Sequence, residues 1–194
     1  MARRASVTCG RAAALAVAVM ASGRGAADQA SPSPLLASIF QDHAVLQRDR
    51  PIAVWGRAAA GETVSVSLDG QQASARVDDS GRWSAELPAM GAGGPFTLEA
   101  RAASGAAQTL SDIRVGDVWL CSGQSNMEMT VSRSRNGDWG AARSANDRLR
   151  LLTMPHVDRV APAAEPPAGV AWRLAAPDSV RSFSAACYYA GREL

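Results

Sequence analysis

A serine can serve as an acyl-transfer nucleophile where a turn presents its hydroxyl at the edge of a sheet, and residues 116–130, GDVWLCSGQSNMEMT, have that form. An apolar run breaks abruptly into a polar turn centred on Ser125. Gly123 lets the backbone turn sharply, while Gln124 and Asn126 bring amides able to brace the loop or meet a substrate oxygen. The pattern lacks the second glycine of a G-x-S-x-G elbow, so it does not announce an ordinary α/β-hydrolase. On spacing alone, a serine in a polar turn after a strand reads as a turn residue.

A nucleophilic serine needs a histidine to take its proton and a carboxylate to orient that histidine. Only His43 and His156 are available in the chain. His43 lies in an early β-type segment. His156, in TMPHVDR with Asp158 two residues on, belongs to the same expected sheet edge as Ser125 but reads as a solvated loop residue. Arg133 and Arg135 have the planar fork that suits a carboxylate, and they too read as solvated. Trp139, in the polar NGDWG stretch, is the aromatic residue singled out for substrate contact. Trp55, Trp83, Trp119 and Trp172 are expected in the core or at a domain interface.

The elements that must position this turn emerge from patterning. Arg3, Arg4 and Arg11 followed by AAALAVAVM and small residues read as a secretory signal over 1–27, and the nine-residue apolar core is too short to span a membrane. A linker containing SPSP covers 28–36. Over 37–112, TVSVSL, RWSAELP and FTLEAR alternate apolar and polar residues between turn signals at Asp69-Gly70 and Asp78–Gly81, which predicts an antiparallel β-sandwich. From 113 to 194 the pattern changes. VWLC and LRLLTM are apolar runs suited to strands covered on both faces of a parallel sheet, and SFSAACYYAGREL predicts a helix burying Phe183, Ala186, Cys187, Ala190 and Leu194. This reads as the truncated start of an α/β domain.

Composition narrows the function classes. Hydrophobic residues make up 47% of the 194 and charged residues 20%, as in a globular protein, and the net charge of +2 comes without a basic run. Neither a nucleic-acid groove nor a polybasic membrane patch is indicated. No Cys/His cluster has zinc spacing, so neither a metal nor a cofactor is expected. Outside the leader, Cys121 and Cys187 read as two small buried hydrophobes in preference to a disulfide.

VGDVWLCSGQSNMEM resembles the nucleophile segment of the sialate O-acetylesterase family, a branch of the SGNH hydrolases. FQDHAVLQRDRPIAVWGRAAAGETVSVSL, DDSGRWSAELPAM and GGPFTLEA are similar to successive strands of that family's preceding β domain, and FSAACYYAGREL to a helix of its catalytic domain. The resemblance covers 37–194. It implies a β-sandwich followed by the start of a flavodoxin-like α/β domain, a nucleophilic Ser125, an oxyanion or substrate loop including Gly123, Gln124 and Asn126, and an O-acetylated carbohydrate as substrate. It also implies an enzyme whose catalytic Asp and His lie beyond residue 194, while export to the periplasm or the extracellular space is expected from the leader. The competing expectation is a non-catalytic secreted β-sandwich module that binds glycan or protein.

Overall fold

Period-two alternation builds the first part of the chain, because successive side chains of a strand point to opposite faces. In the computed structural model, which describes Met1 and residues 34–194 apart from 159, 162 and 164, seven strands precede Asp117. The signal expected over 1–27 and most of the 28–36 linker lie outside the described residues. The strands are β1 (Val45–Gln47), β2 (Ile52–Arg57), β3 (Thr63–Leu68), β4 (Gln71–Arg76), β5 (Arg82–Leu87), β6 (Gly93–Ala102) and β7 (Ala107–Gly116). Five of them form a sheet in the order β1-β7-β6-β3-β4, while β2 and β5 form a separate antiparallel pair. Both sheets contribute to one core in which Val54, Val64, Val66, Leu68, Leu98, Ala100 and Ile113 are buried.

The larger sheet is mixed and not purely antiparallel. β1 runs parallel to β7, with Leu46 opposite Val115. A parallel pair requires a long connection, and here all the intervening strands supply it. The expected turns form as their chemistry dictates. Asp69 and Gly70 both take positive φ in the two-residue hairpin between β3 and β4. Asp78 Oδ1 accepts hydrogen bonds from Ser80 N, Ser80 Oγ and Arg82 N at 2.7–2.9 Å, closing the turn into β5. The core also begins earlier than 37. Leu35 and Leu36 are buried, and Leu35 O accepts from Arg57 N and Trp83 Nε1. Gly56 permits that approach, since a Cβ there would lie 1.8 Å from Leu35 O.

Beyond Gly116 the structure departs from the expected parallel sheet. Val118–Cys121 forms no ladder among the described residues, and Val118, Trp119 and Leu120 are exposed. An apolar run becomes a doubly covered strand only when neighbours occupy both edges and both faces. LRLLTM contributes to β8 (Asn146–Leu151), which pairs antiparallel with β9 (Arg173–Ala175). Short helices flank this pair: α1 (Ser125–Glu128), α2 (Gly137–Ala142), α3 (Pro177–Arg181) and α4 (Ala185–Glu193). α4 is the predicted C-terminal helix with a rotated face. It buries Ala185, Cys187 and Tyr188, leaving Ala186, Ala190 and Leu194 exposed, because the bulk of Tyr188 outweighs that of small alanines. Val131, Ala141, Leu151, Ala175, Val180, Ala185 and Tyr188 form a second core.

A charged cluster joins the two regions. The Arg150 side chain, on β8, is 1% exposed and donates from Nη2 to Asp112 Oδ2 on β7 at 2.9 Å. His43 Nδ1 lies 2.7 Å from the same oxygen, and Arg114 Nε lies 3.8 Å from Oδ1. Partial burial pushes the Asp112 carboxyl up, but the His43 hydrogen bond and the Arg150 charge together outweigh burial and hold it below its ordinary range.

Two outcomes follow. Gly56→Ala forces β2 away from Leu35 and destabilises the chain by roughly 1–3 kcal/mol in urea unfolding. Asp112→Asn costs about 2 kcal/mol at neutral pH, less than a fully buried pair would, since the carboxylate side chain stays 26% exposed. A depressed folded-state pKa means this contribution is complete above about pH 4 and fades as pH falls through the lower folded value. The stability gap between wild type and Asp112→Asn should therefore hold down to about pH 4 and narrow only below it, as read by unfolding curves from about pH 7 to about pH 2.

Candidate functional site

Ser125 is the first residue of α1, a single helical turn that begins after the ladder-free stretch Asp117–Gly123. Gly123, Gln124, Ser125 and Asn126 are all exposed. A Cβ at Gly123 would fall 2.5 Å from Met127 Cγ, so the glycine lets the Met127 side chain fold back over the turn. Gln124 O accepts from Met127 N at 2.8 Å and from Glu128 N at 3.3 Å, and Ser125 O accepts from Met129 N at 3.2 Å. These bonds define one turn. The Gln124 side chain does not cap it, and none of its residues is buried.

Immediately downstream the chain is fixed to α4. Met129 O accepts from Ala185 N at 2.8 Å, Val131 N donates to Phe183 O at 3.0 Å, and Thr130 bridges Ser184. Ser184 is the N-cap of α4, its side chain accepting from Cys187 N. Upstream, Cys121 is disulfide-bonded to Cys187. The reading of these cysteines as two buried hydrophobes is thereby corrected. Cys121 is exposed, because the segment carrying it is not a covered strand, and its sulfur meets that of Cys187 in the first turn of α4.

The structure brings one histidine to this turn. His156 Nε2 lies 3.2 Å from Glu128 Oε1, at the opposite end of α1 from Ser125, with both side chains largely in water. Such an exposed pair contributes little stability. Glu128 was missed in the sequence although it sits three residues from Ser125, the spacing that puts two side chains on one helical face. His43 belongs to the Asp112 cluster. Among the described residues, no side-chain hydrogen bond reaches Ser125 Oγ from either histidine.

Other candidates fall elsewhere. Arg133 and Arg135 are exposed, as expected of solvated arginines. Trp139 projects from α2 with 60% of its surface in solvent and the Arg143 guanidinium 4.4 Å over its ring. Trp83 is a core residue and Trp172 is partly buried, donating from Nε1 to Ile39 O. Trp119 is exposed and Trp55 partly so, its ring edge-on to Phe40. That overturns the core expectation for Trp119, whose segment has no covering layer among the described residues, and for Trp55, whose ring is 40% exposed. No described helix is long and apolar enough to cross a membrane, and no described group of three His, Cys, Asp or Glu side chains is arranged to hold a metal ion.

No family model matches the chain. It is 40% identical over 110 residues to the sialate O-acetylesterase of Mus musculus, covering 52% of this chain and 20% of the relative. Identity to the sialate O-acetylesterase of Homo sapiens is also 40%, over 111 residues, with 49% and 20% of the two chains covered. The chain thus spans about a fifth of the length of these relatives. A crystal structure of a carbohydrate acetylesterase from Xanthomonas citri superposes with a TM-score of 0.79 at 36% identity, covering 84% of this chain and 37% of the other.

Proposed function

The chain is a homologue of the sialate O-acetylesterases over about half its length, and from that kinship we propose that it carries the nucleophile of a serine carbohydrate O-acetylesterase of the SGNH type. The observation that carries this reading is the GQSNM turn, which sets the Ser125 hydroxyl in solvent at the start of a helical turn.

In this reading Ser125 Oγ attacks the acetyl carbonyl while a histidine takes its proton. The tetrahedral intermediate collapses by breaking the bond to the sugar oxygen, which leaves with that proton. Water then attacks the acetyl-serine, acetate departs, and the serine recovers its proton. The Ser125 amide would be one donor to the oxyanion, and Gly123, Gln124 and Asn126 shape the loop around it. With His156 turned to Glu128 and His43 to Asp112, the reading assigns the general base to neither of these two histidines. The substrate class is an O-acetylated sugar. Export follows from the basic and apolar leader, and the Cys121–Cys187 bond supports an oxidising compartment.

Two measurements test the proposal. A chimera places residues 34–194 into the Xanthomonas citri acetylesterase in place of its equivalent segment. It should hydrolyse a chromogenic acetate ester, and Ser125→Ala in it should lower kcat at least about a thousandfold. A folded chimera equally active with alanine at 125 would sink the nucleophile assignment. The 194-residue chain by itself should turn the ester over no faster than its own Ser125→Ala variant.

A further inference from the structure

We infer that the Cys121–Cys187 disulfide is the positioning device of the nucleophile turn, closing it onto the first turn of α4 so that Ser125 is held between two fixed ends. This deepens the esterase proposal and takes its functional meaning from that reading, but the structural grounds are independent of it.

Seven residues, Ser122–Glu128, separate Cys121 from Met129, and Ser125 is the middle one. At one end the chain is covalently joined to Cys187, with the two Cα atoms 6.0 Å apart at a sequence separation of 66. At the other end Met129 O accepts from Ala185 N, and Val131 N donates to Phe183 O. Both ends therefore terminate within Phe183–Cys187, a stretch itself organised by the Ser184 N-cap. The anchor is well founded, since Ala185 and Tyr188 belong to the second core.

Between these ends no other contact among the described residues is strong enough to order the turn. A four-residue helix cannot persist alone, because nucleation fixes several dihedrals for few hydrogen bonds. None of its residues is buried, its N-cap side chain makes no bond, and its one side-chain ion pair, Glu128 to His156, is exposed. Upstream, Val118–Leu120 pairs with no strand among the described residues. Without the sulfur bridge the nearest upstream anchors are Val118 N, which donates to Gln47 Oε1 at 3.0 Å, and Asp117, which accepts from Arg48 Nε at 2.9 Å, so the untethered span around Ser125 would lengthen from Ser122–Glu128 to Trp119–Glu128. Fixing both ends reduces the conformations open to the intervening residues, and a short loop is affected most directly. Cys121 and Cys187 are thus positioning residues and take no part in bond-making.

Hydrogen exchange on the purified 194-residue chain tests the inference. The oxidised protein is compared with protein reduced by a water-soluble phosphine and with Cys187→Ser. The amides of Met127, Glu128 and Met129, which close the turn, should exchange at least about tenfold faster once the bridge is lost, with β3, β6 and β7 unchanged, and reoxidation should restore the slow rates. Unchanged exchange at the turn would overturn the inference. So would an increase spread evenly through the strands, which would make the bridge a general staple of the fold. Cys121→Val combined with Cys187→Ala supplies the packing control, and slow exchange in this bridge-free pair would overturn the inference because packing alone would then suffice. In the chimera, Cys187→Ser should lower kcat about tenfold at unchanged KM. Should Ser125 prove not to be the nucleophile, Ser125→Ala leaves turnover intact there, while the exchange comparison still decides the role of the bridge.

Discussion

Arg150 reaching Asp112 is the interaction on which the arrangement of this chain turns. A guanidinium cannot be hidden from water without an acceptor, and a side chain 1% exposed on a short two-stranded ribbon has few to choose from. It takes the carboxylate of β7 and the carbonyl of Asp147. This ties the ribbon to the last strand of the five-stranded sheet. The tie is specific because hydrogen bonds are directional, whereas the apolar contacts on either side would tolerate sliding. His43 completes the cluster from the segment leading into β1, so three distant parts of the sequence meet at one carboxylate. Arg114 Nε and Arg150 Nε are buried and make no hydrogen bond among the described residues, although Arg114 Nε still lies 3.8 Å from Asp112 Oδ1.

With the ribbon fixed, the second core can form, and through it α4. The helix matters to function by what its first turn holds. Ser184, Ala185 and Cys187 face the segment that bears Ser125, so the Ser125 turn draws its order from a helix about 60 residues later in the chain. Charge fixes the ribbon, the ribbon shelters apolar side chains, the core seats the helix, and the helix holds an exposed loop that could not hold itself.

Much of the first part was legible because a strand reports its own burial. In TVSVSL and RWSAELP each apolar residue predicted to face inward is buried, and the Asp69-Gly70 pair carries its turn geometry in its residue types. β1 was harder, since three residues contain too little periodicity to reveal a parallel partner about 70 positions away. In the second part the apolar runs were visible but their partners were not. VWLC reads as buried only if neighbours exist to bury it, and LRLLTM carries no mark of strand direction. The serine turn could be located from GQSNM. Its fastening could not, because a disulfide depends on where two Cβ atoms point and spacing says nothing of that.

Val118, Trp119 and Leu120 carry a different consequence. Apart from Val118 N, which donates to the Gln47 side chain, this apolar stretch makes no backbone hydrogen bond among the described residues, and such a stretch is a template onto which another extended chain can add as a strand. The residues that lead into the Ser125 turn are thus also the place where an added strand would first pair with this chain.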